Sequence, residues 1–254
     1  MSETVLKTEN LTKIFMVRGK KAFAAVDHVS FQLKKGETLG IIGESGCGKS
    51  TLAKLLCRLQ EPTEGTVELC GQDITKARGA ELCSAYRHIQ MVFQDPVSSF
   101  DPRKTLGDGI GESLRNTGKS RREAELRVRE LLKQCGLPGE FAGRYPHEVS
   151  GGQCQRAAIA RALAVEPEVL ICDESTSALD VTVQKKIMEL LGRLRVDTGI
   201  SCIFICHNLA LVQDFCDRLL VMYQGKIIEE GTPDEVIFCP KEAYTQMLVD
   251  SVLG

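Results

Sequence analysis

The sequence contains no apolar run approaching the roughly 18 residues of a membrane-spanning helix, so any membrane role is expected to be peripheral. The polar start Met1-Ser2-Glu3-Thr4 has none of the features of a secretory signal. A net charge of −2 provides no excess of positive charge with which to grip nucleic acid or an anionic membrane. The basic cluster Lys119-Ser120-Arg121-Arg122 reads instead as the solvated start of a helix. None of the eleven cysteines forms a C-x-x-C pair. Many lie in apolar runs such as Leu170-Ile171-Cys172, so they are expected to be small core hydrophobes in a reducing cytosol, not a metal site or disulfide framework. Cys202 and Cys206 point to one face of an expected strand but too far apart to share a metal. Internal repeats and low-complexity linkers are also missing.

What remains is an ordinary globular composition, 43% apolar and 26% charged over 254 residues, enough for one α/β domain with a subdomain. Its most informative stretch is Gly43-Glu44-Ser45-Gly46-Cys47-Gly48-Lys49-Ser50-Thr51, which satisfies G-x-x-x-x-G-K-[ST]. The apolar run Leu39-Gly40-Ile41-Ile42 precedes it, and Leu52, Leu55, Leu56 and Leu59 follow at helical spacing. A strand, a glycine-rich loop and a helix in that order surround phosphate oxygens with backbone N–H groups and a positive helix end. Lys49 is placed to reach the β- and γ-phosphates of a nucleoside triphosphate, and the Ser50 hydroxyl to ligate Mg²⁺.

Short apolar or alternating stretches at 4–10, 26–33 and 65–70 predict an antiparallel sheet around this loop. A strand is expected at Ile89-Gln90-Met91-Val92-Phe93, followed by a turn-rich segment from Asp95 to Arg103. Ala124, Val128, Leu131, Leu132 and Cys135, and later Ile159, Ala162 and Leu163, keep helical spacing, which predicts a helical subdomain over about 95–160. The α/β pattern then resumes. Val169 to Cys172 reads as a strand buried on both faces, and Val183, Ile187, Leu190, Leu191 and Leu194 as a helix face. A strand from Ile200 to Cys206, a helix over 208–216 and a last strand from Arg218 to Tyr223 complete the pattern. The expected fold is an α/β phosphate-loop nucleotide-binding core with an antiparallel β subdomain and an inserted helical subdomain, in one domain over 1–254 with a short tail from about 232.

The strand at 169–172 ends in Asp173-Glu174, at the edge where an open parallel sheet forms its ligand crevice. Asp173 is suited to hold Mg²⁺, and Glu174 to take a proton from an attacking water. With Val149-Ser150-Gly151-Gly152-Gln153 ahead of that strand, the chain resembles the nucleotide-binding subunits of ATP-binding cassette (ABC) transporters along nearly its whole length. The resemblance identifies Gln94 with the Q-loop glutamine, Ser177-Ala178-Leu179-Asp180 with the D-loop and His207 with the switch histidine. It implies ATP and Mg²⁺ as ligands and a head-to-tail dimer. In that dimer Ser150, Gly151, Gly152 and Gln153 of one subunit face the other's ATP. Gln94 senses Mg²⁺ and water, His207 the γ-phosphate and Asp180 the opposite subunit. Phe15 occupies the position of the family's adenine-stacking aromatic, with Phe23 a competitor and a plain core role open for both.

Four positions stand out. Val149 replaces the family's leucine, and Asn208 its aspartate, where it could cap a helix. Cys47 and Cys154 read as packing residues, although a thiol at a phosphate-binding helix end can have a lowered pKa, and alkylation of Cys47 is expected to block ATP binding.

Phe93-Gln94-Asp95-Pro96-Val97-Ser98-Ser99-Phe100-Asp101-Pro102-Arg103 and a tail bearing Pro240, Tyr244, Thr245, Leu248 and Ser251 resemble the oligopeptide, dipeptide and nickel importer subfamily. This resemblance implies two permease subunits as partners, a second ATPase chain of the same or a different kind, and an extracytoplasmic solute-binding protein acting indirectly. It places the chain on the cytoplasmic face of a bacterial-type membrane. Because the chain stops at Gly254, nickel or another chelated metal competes with peptides as the expected solute. A soluble cassette acting in DNA repair or translation is the rival reading, and an exporter ATPase a third.

Overall fold

The computed structural model describes residues 3–16, 22–173, 181–206 and 209–253, with side chains described throughout these spans except at 181–183, 252 and 253. Two sheets form the framework. The first is antiparallel and contains β1 (Thr4–Phe15), β2 (Phe23–Lys34), β4 (Glu64–Leu69) and β5 (Gln72–Asp73), in the order β2-β1-β4-β5. The second contains β3 (Thr38–Ile42), β6 (Ile89–Val92), β7 (Val169–Asp173), β8 (Ser201–Ile205), β9 (Arg218–Tyr223) and β10 (Lys226–Gly231), in the order β10-β9-β3-β8-β7-β6. Strands β9, β3, β8, β7 and β6 run parallel, and β10 closes one edge antiparallel to β9.

Alternation along the parallel strands divides the core. Leu39 and Ile41 of β3, Ile171 of β7 and Ile203 of β8 face the first sheet, and α1 (Lys49–Leu56) fills the space between with Leu52, Leu55 and Leu56. Ile42, Leu170, Cys172 and Phe204 face the other way, into a core shared with the helices. These strands read as continuous hydrophobic runs because both their faces are covered. Helix α2 (Gly79–His88) leads into β6, and between β6 and β7 the described elements are helical: α3 (Leu106–Asn116), α4 (Arg121–Gln134), two short 3-10 turns and α5 (Gly151–Leu163). Helix α6 (Val181–Thr198) precedes β8, α7 (Leu209–Phe215) precedes β9, and α8 (Pro233–Phe238) and α9 (Ala243–Leu253) end the chain.

Several expectations are corrected. The first strand runs on to Phe15 because a register shift around Asn10, whose φ is +48°, lets it bend and continue pairing with β2. Leu59 does not extend the α1 face. The helix ends at Leu56, Arg58 takes φ +54°, and the Leu59 N–H bonds back to the Lys54 carbonyl at 2.8 Å, leaving Leu59 exposed. The strand at 218–223 is not the last. Gln224 and Gly225, both at positive φ, reverse the chain into β10. Cysteines 47, 57, 135, 154, 172, 202, 206 and 216 are buried as expected, whereas Cys70, Cys83 and Cys239 are exposed because each lies in a turn, on a polar helix face or at a helix end. The basic cluster does start a helix: Ser120 caps α4 with Glu123 in a reciprocal capping box.

Candidate nucleotide site

The loop between β3 and α1 takes its shape from its glycines. Gly43 has φ +149°, and a β-carbon there would stand 2.2 Å from the Met222 carbonyl oxygen. Gly48 has φ +114°, and its β-carbon would stand 2.0 Å from the Ala25 carbonyl oxygen. Both positions therefore exclude side chains on two grounds, backbone conformation and space. The turn between β9 and β10 pins the loop from outside, with the Gly225 N–H donating to the Cys47 carbonyl at 2.9 Å.

Helix α1 begins at Lys49 with Gly48 as its cap, no side-chain cap bond and no acidic residue in its first turn. Its positive end thus keeps its donors available for an anion. The Lys49 side chain is 4% exposed. Its ammonium donates to the carbonyls of Gly43 at 2.7 Å and Glu44 at 2.8 Å and lies 3.7 Å from the Cys47 sulfur. A buried cation held by neutral carbonyls is matched to an incoming polyanion. Ser50 Oγ donates to Asp173 Oδ1 at 3.0 Å, joining the first turn of α1 to the carboxyl end of β7 across β8. One hydroxyl and one buried carboxylate beside the phosphate loop form the oxygen donor set that a hard divalent cation such as Mg²⁺ takes, so the residues present fit that ion.

Gln94 lies two residues past β6, at the same edge of the sheet as Asp173. The segment after it is clamped onto α5. Arg161 donates to the Ser99 hydroxyl at 3.0 Å and lies over the Phe100 ring at 4.3 Å. Ser150 is the N-cap of α5: its Oγ accepts the Gln153 N–H at 3.3 Å, and Gln153 Oε1 accepts the Ser150 N–H at 2.9 Å. Gly151 is exposed and Gly152 buried, so between the Ser150 cap and Gln153 the first turn of the helix carries no side chain. Burial pushes the Cys154 thiol up to about 11, which makes it an inert packing group. Phe15 and Phe23 are cross-strand partners, with Phe23 54% exposed and the Lys13 ammonium 5.5 Å from the Phe15 ring centre. Thr51 continues α1 beside Ser50, and Ser45 and Gly46 form the exposed crest of the loop. Glu174, Asp180, His207 and Asn208 lie outside the described residues.

One contact at the loop has no counterpart in sequence reasoning. The Glu44 N–H donates to the Tyr244 hydroxyl at 3.0 Å, and the Tyr244 ring packs on Tyr223 with centroids 4.1 Å apart. A side chain of α9, two hundred residues away, therefore supports the entrance of the phosphate loop. The tyrosine appears in the tail motif, but no local pattern indicates what it touches.

Comparison with known proteins shows the family and the fold. The family described as ABC transporter matches residues 26–177. The chain is 47% identical to the oligopeptide transport ATP-binding protein OppF of Salmonella typhimurium, over 91% of this chain and 70% of that protein. It is 46% identical to the oligopeptide transport ATP-binding protein AppF of Bacillus subtilis, over 98% of this chain and 78% of that protein. Among solved structures, the dimeric post-hydrolysis state of the ATP-binding cassette MJ0796 bound to ADP and Pi superposes with a TM-score of 0.82 at 32% identity, covering 90% of this chain and 98% of that one. CbiO1 from Clostridium perfringens, part of the ABC transporter complex cbiONQ, gives 0.82 at 30% identity, covering 93% and 92%.

Proposed function

This chain belongs to the ABC transporter ATPase family, and from that premise we propose that it is the ATP-hydrolysing subunit of a peptide importer. The observation that carries the choice of solute is the identity of 46–47%, over more than nine-tenths of this chain, with proteins named for oligopeptide transport. Nickel, the other solute compatible with the 93–103 run, is the alternative.

In this reading the backbone donors from Gly46 to Thr51 and the Lys49 ammonium hold the β- and γ-phosphates, while Gly43 and Glu44 shape the loop entrance. Ser50 and Asp173 hold Mg²⁺, with Gln94 beside them. Mg²⁺ offsets charge on the transferring phosphoryl group. Glu174 accepts the proton of the attacking water, and His207 donates toward the γ-phosphate. Phe15 is the adenine platform.

Ser150, Gly151, Gly152 and Gln153 present the N-terminus of α5 to ATP held by a second cassette, and Asp180 contacts that subunit. The dimeric state named for MJ0796 supports such a pairing. We read residues 1–254 as one cassette with a helical subdomain over about 95–160 and a tail from about 232. Its partners are two permease subunits, contacted near 95–110, a second ATPase chain and, indirectly, an extracytoplasmic binding protein. Among the described residues no helix is long and apolar enough to cross a membrane, which suits a subunit docked at the cytoplasmic face. Nucleic acid is not among the partners.

The test is to solubilise native membranes gently, retrieve the chain and identify its companions by mass spectrometry. Two multi-helix permeases with a peptide-binding protein are the expected result. Recovery with ribosomes or DNA-repair proteins and no permease would overturn transport, and a nickel-binding companion would overturn the choice of solute.

A further inference from the structure

Far from the nucleotide edge, three side chains of unlike chemistry converge. Cys70 lies in the turn joining β4 and β5, His88 is the last residue of α2, and Glu168 leads into β7. Their ligand atoms, one sulfur, one ring nitrogen and one carboxylate oxygen, all lie within 4.8 Å of one another. We propose that Cys70, His88 and Glu168 form a site for a zinc-class divalent cation, with water completing the coordination.

Each of the three backbones is fixed before any ion arrives. Cys70 and Gly71 take φ +49° and +78° in a two-residue hairpin, and the Cys70 N–H donates to the Val5 carbonyl at 2.8 Å. The Glu168 N–H donates to the His88 carbonyl at 3.0 Å, and the Glu168 carbonyl accepts from Ser201 at 2.9 Å. The imidazole Nδ1 of His88 is 3.0 Å from the Glu168 carboxylate, close to the edge of a tetrahedral coordination shell. Bringing the sulfur to zinc-ligand distance asks for a contraction of about 1 Å, within the reach of a side-chain rotation. With His88 and Glu168 side chains 43% and 42% exposed and Cys70 exposed, the site is open to solvent.

Donor chemistry selects the ion. Thiolate and imidazole are poor ligands for Mg²⁺ and Ca²⁺, which take oxygen shells, and are the usual ligands of Zn²⁺. The cation would also face the negative carboxyl end of α2. Binding releases the Cys70 proton to solvent, and the thiolate and the Glu168 carboxylate together balance the 2+ charge. The site lies at the amino ends of β6 and β7, about 16 Å along β7 from Asp173, so it is distinct from the nucleotide pocket. Its effect is structural: it ties the β4–β5 turn to α2 and to the parallel sheet.

The test uses the purified full chain with Cys83→Ser and Cys239→Ser, which removes the other exposed thiols, in excess Mg²⁺ to occupy oxygen sites. Co²⁺ is the probe. We expect one equivalent to give a sulfur-to-cobalt charge-transfer band that Zn²⁺ displaces. The band should vanish in Cys70→Ser, and binding should weaken about tenfold or more in His88→Ala. Zn²⁺ should raise Tm by about 5 °C in the parent and leave Cys70→Ser unchanged. Metal-free Tm values report whether each variant folds, and Cys70→Ala stands in if the serine variant does not. A missing band, one that survives Cys70→Ser, or an undiminished Co²⁺ affinity in His88→Ala overturns the site and leaves His88 and Glu168 as an ordinary hydrogen-bonded pair.

Discussion

Replacing Tyr244 with phenylalanine removes a single hydroxyl that accepts the Glu44 N–H at 3.0 Å and leaves the ring on Tyr223. An unmade hydrogen bond of this partly buried kind costs about 1–2 kcal/mol. The loop retains other ties, among them Lys49 Nζ to the Gly43 and Glu44 carbonyls at 2.7 and 2.8 Å, Cys47 N–H to the Glu44 carbonyl at 3.3 Å and Gly225 N–H to the Cys47 carbonyl at 2.9 Å, so the cost is expected near the lower end. A penalty of about 1 kcal/mol, borne by the loop geometry that ATP requires, corresponds to a roughly fivefold weaker nucleotide Kd. Because no phosphate contact is removed, turnover at saturating ATP should stay within about twofold of the parent. Tm should fall by about 2–4 °C. Tyr244→Ala also deletes a ring that is 9% exposed, adding a core-truncation cost of about 3 kcal/mol and a clearly larger drop in Tm. The assay is equilibrium binding of a fluorescent ATP analogue alongside thermal melting. An unchanged Kd in Tyr244→Phe would refute the claim that α9 supports the phosphate loop.

Three further outcomes follow. Gly48→Ala places a β-carbon 2.0 Å from the Ala25 carbonyl at φ +114°, so nucleotide binding should fall below detection while the protein still melts cooperatively; near-parental affinity would contradict the described loop. Glu174→Gln should retain ATP binding, lose nearly all turnover and accumulate an ATP-bound dimer on gel filtration; retained hydrolysis would remove Glu174 from the base role. Burial works to raise the pKa of Glu229, but the N–H groups of Lys241 and Glu242, donating to its carboxylate at 2.9 and 3.1 Å, oppose it, and the carboxyl lies below its ordinary range. Its stabilisation is therefore present above the unfolded glutamate pKa and lost as pH falls through the lower folded value, so Glu229→Gln should lower Tm at pH 7 and cost much less at the acidic end. An equal cost at both pH values would contradict that sign.

The sequence disclosed those features whose cause is local. A loop that must wrap phosphate needs glycines where a β-carbon would strike Met222 or Ala25, so Gly43 and Gly48 are visible without the structure. Strands β3, β7 and β8 were legible because burial on both faces demands unbroken apolar runs. Asp173 was readable from its place at a strand end, and the structure brings it to 3.0 Å from Ser50. Contacts between distant segments left no such trace. Tyr244 on Glu44, Arg161 on Ser99 and the meeting of Cys70 with His88 and Glu168 depend on tertiary placement. Leu59 and β10 were misread because residues at positive φ other than glycine, Arg58 and Gln224, turn the chain where pattern alone carries it onward or ends it.

In the proposed function, ATP hydrolysis at this cassette drives peptides inward. The most direct measurement is uptake of a labelled oligopeptide into proteoliposomes holding the complex retrieved with this chain, its binding protein added outside and ATP enclosed. Accumulation is expected with the parent chain and none with Lys49→Ala. ATP consumption by the intact complex without peptide entry, or accumulation of a nickel chelate in place of the peptide, would contradict it.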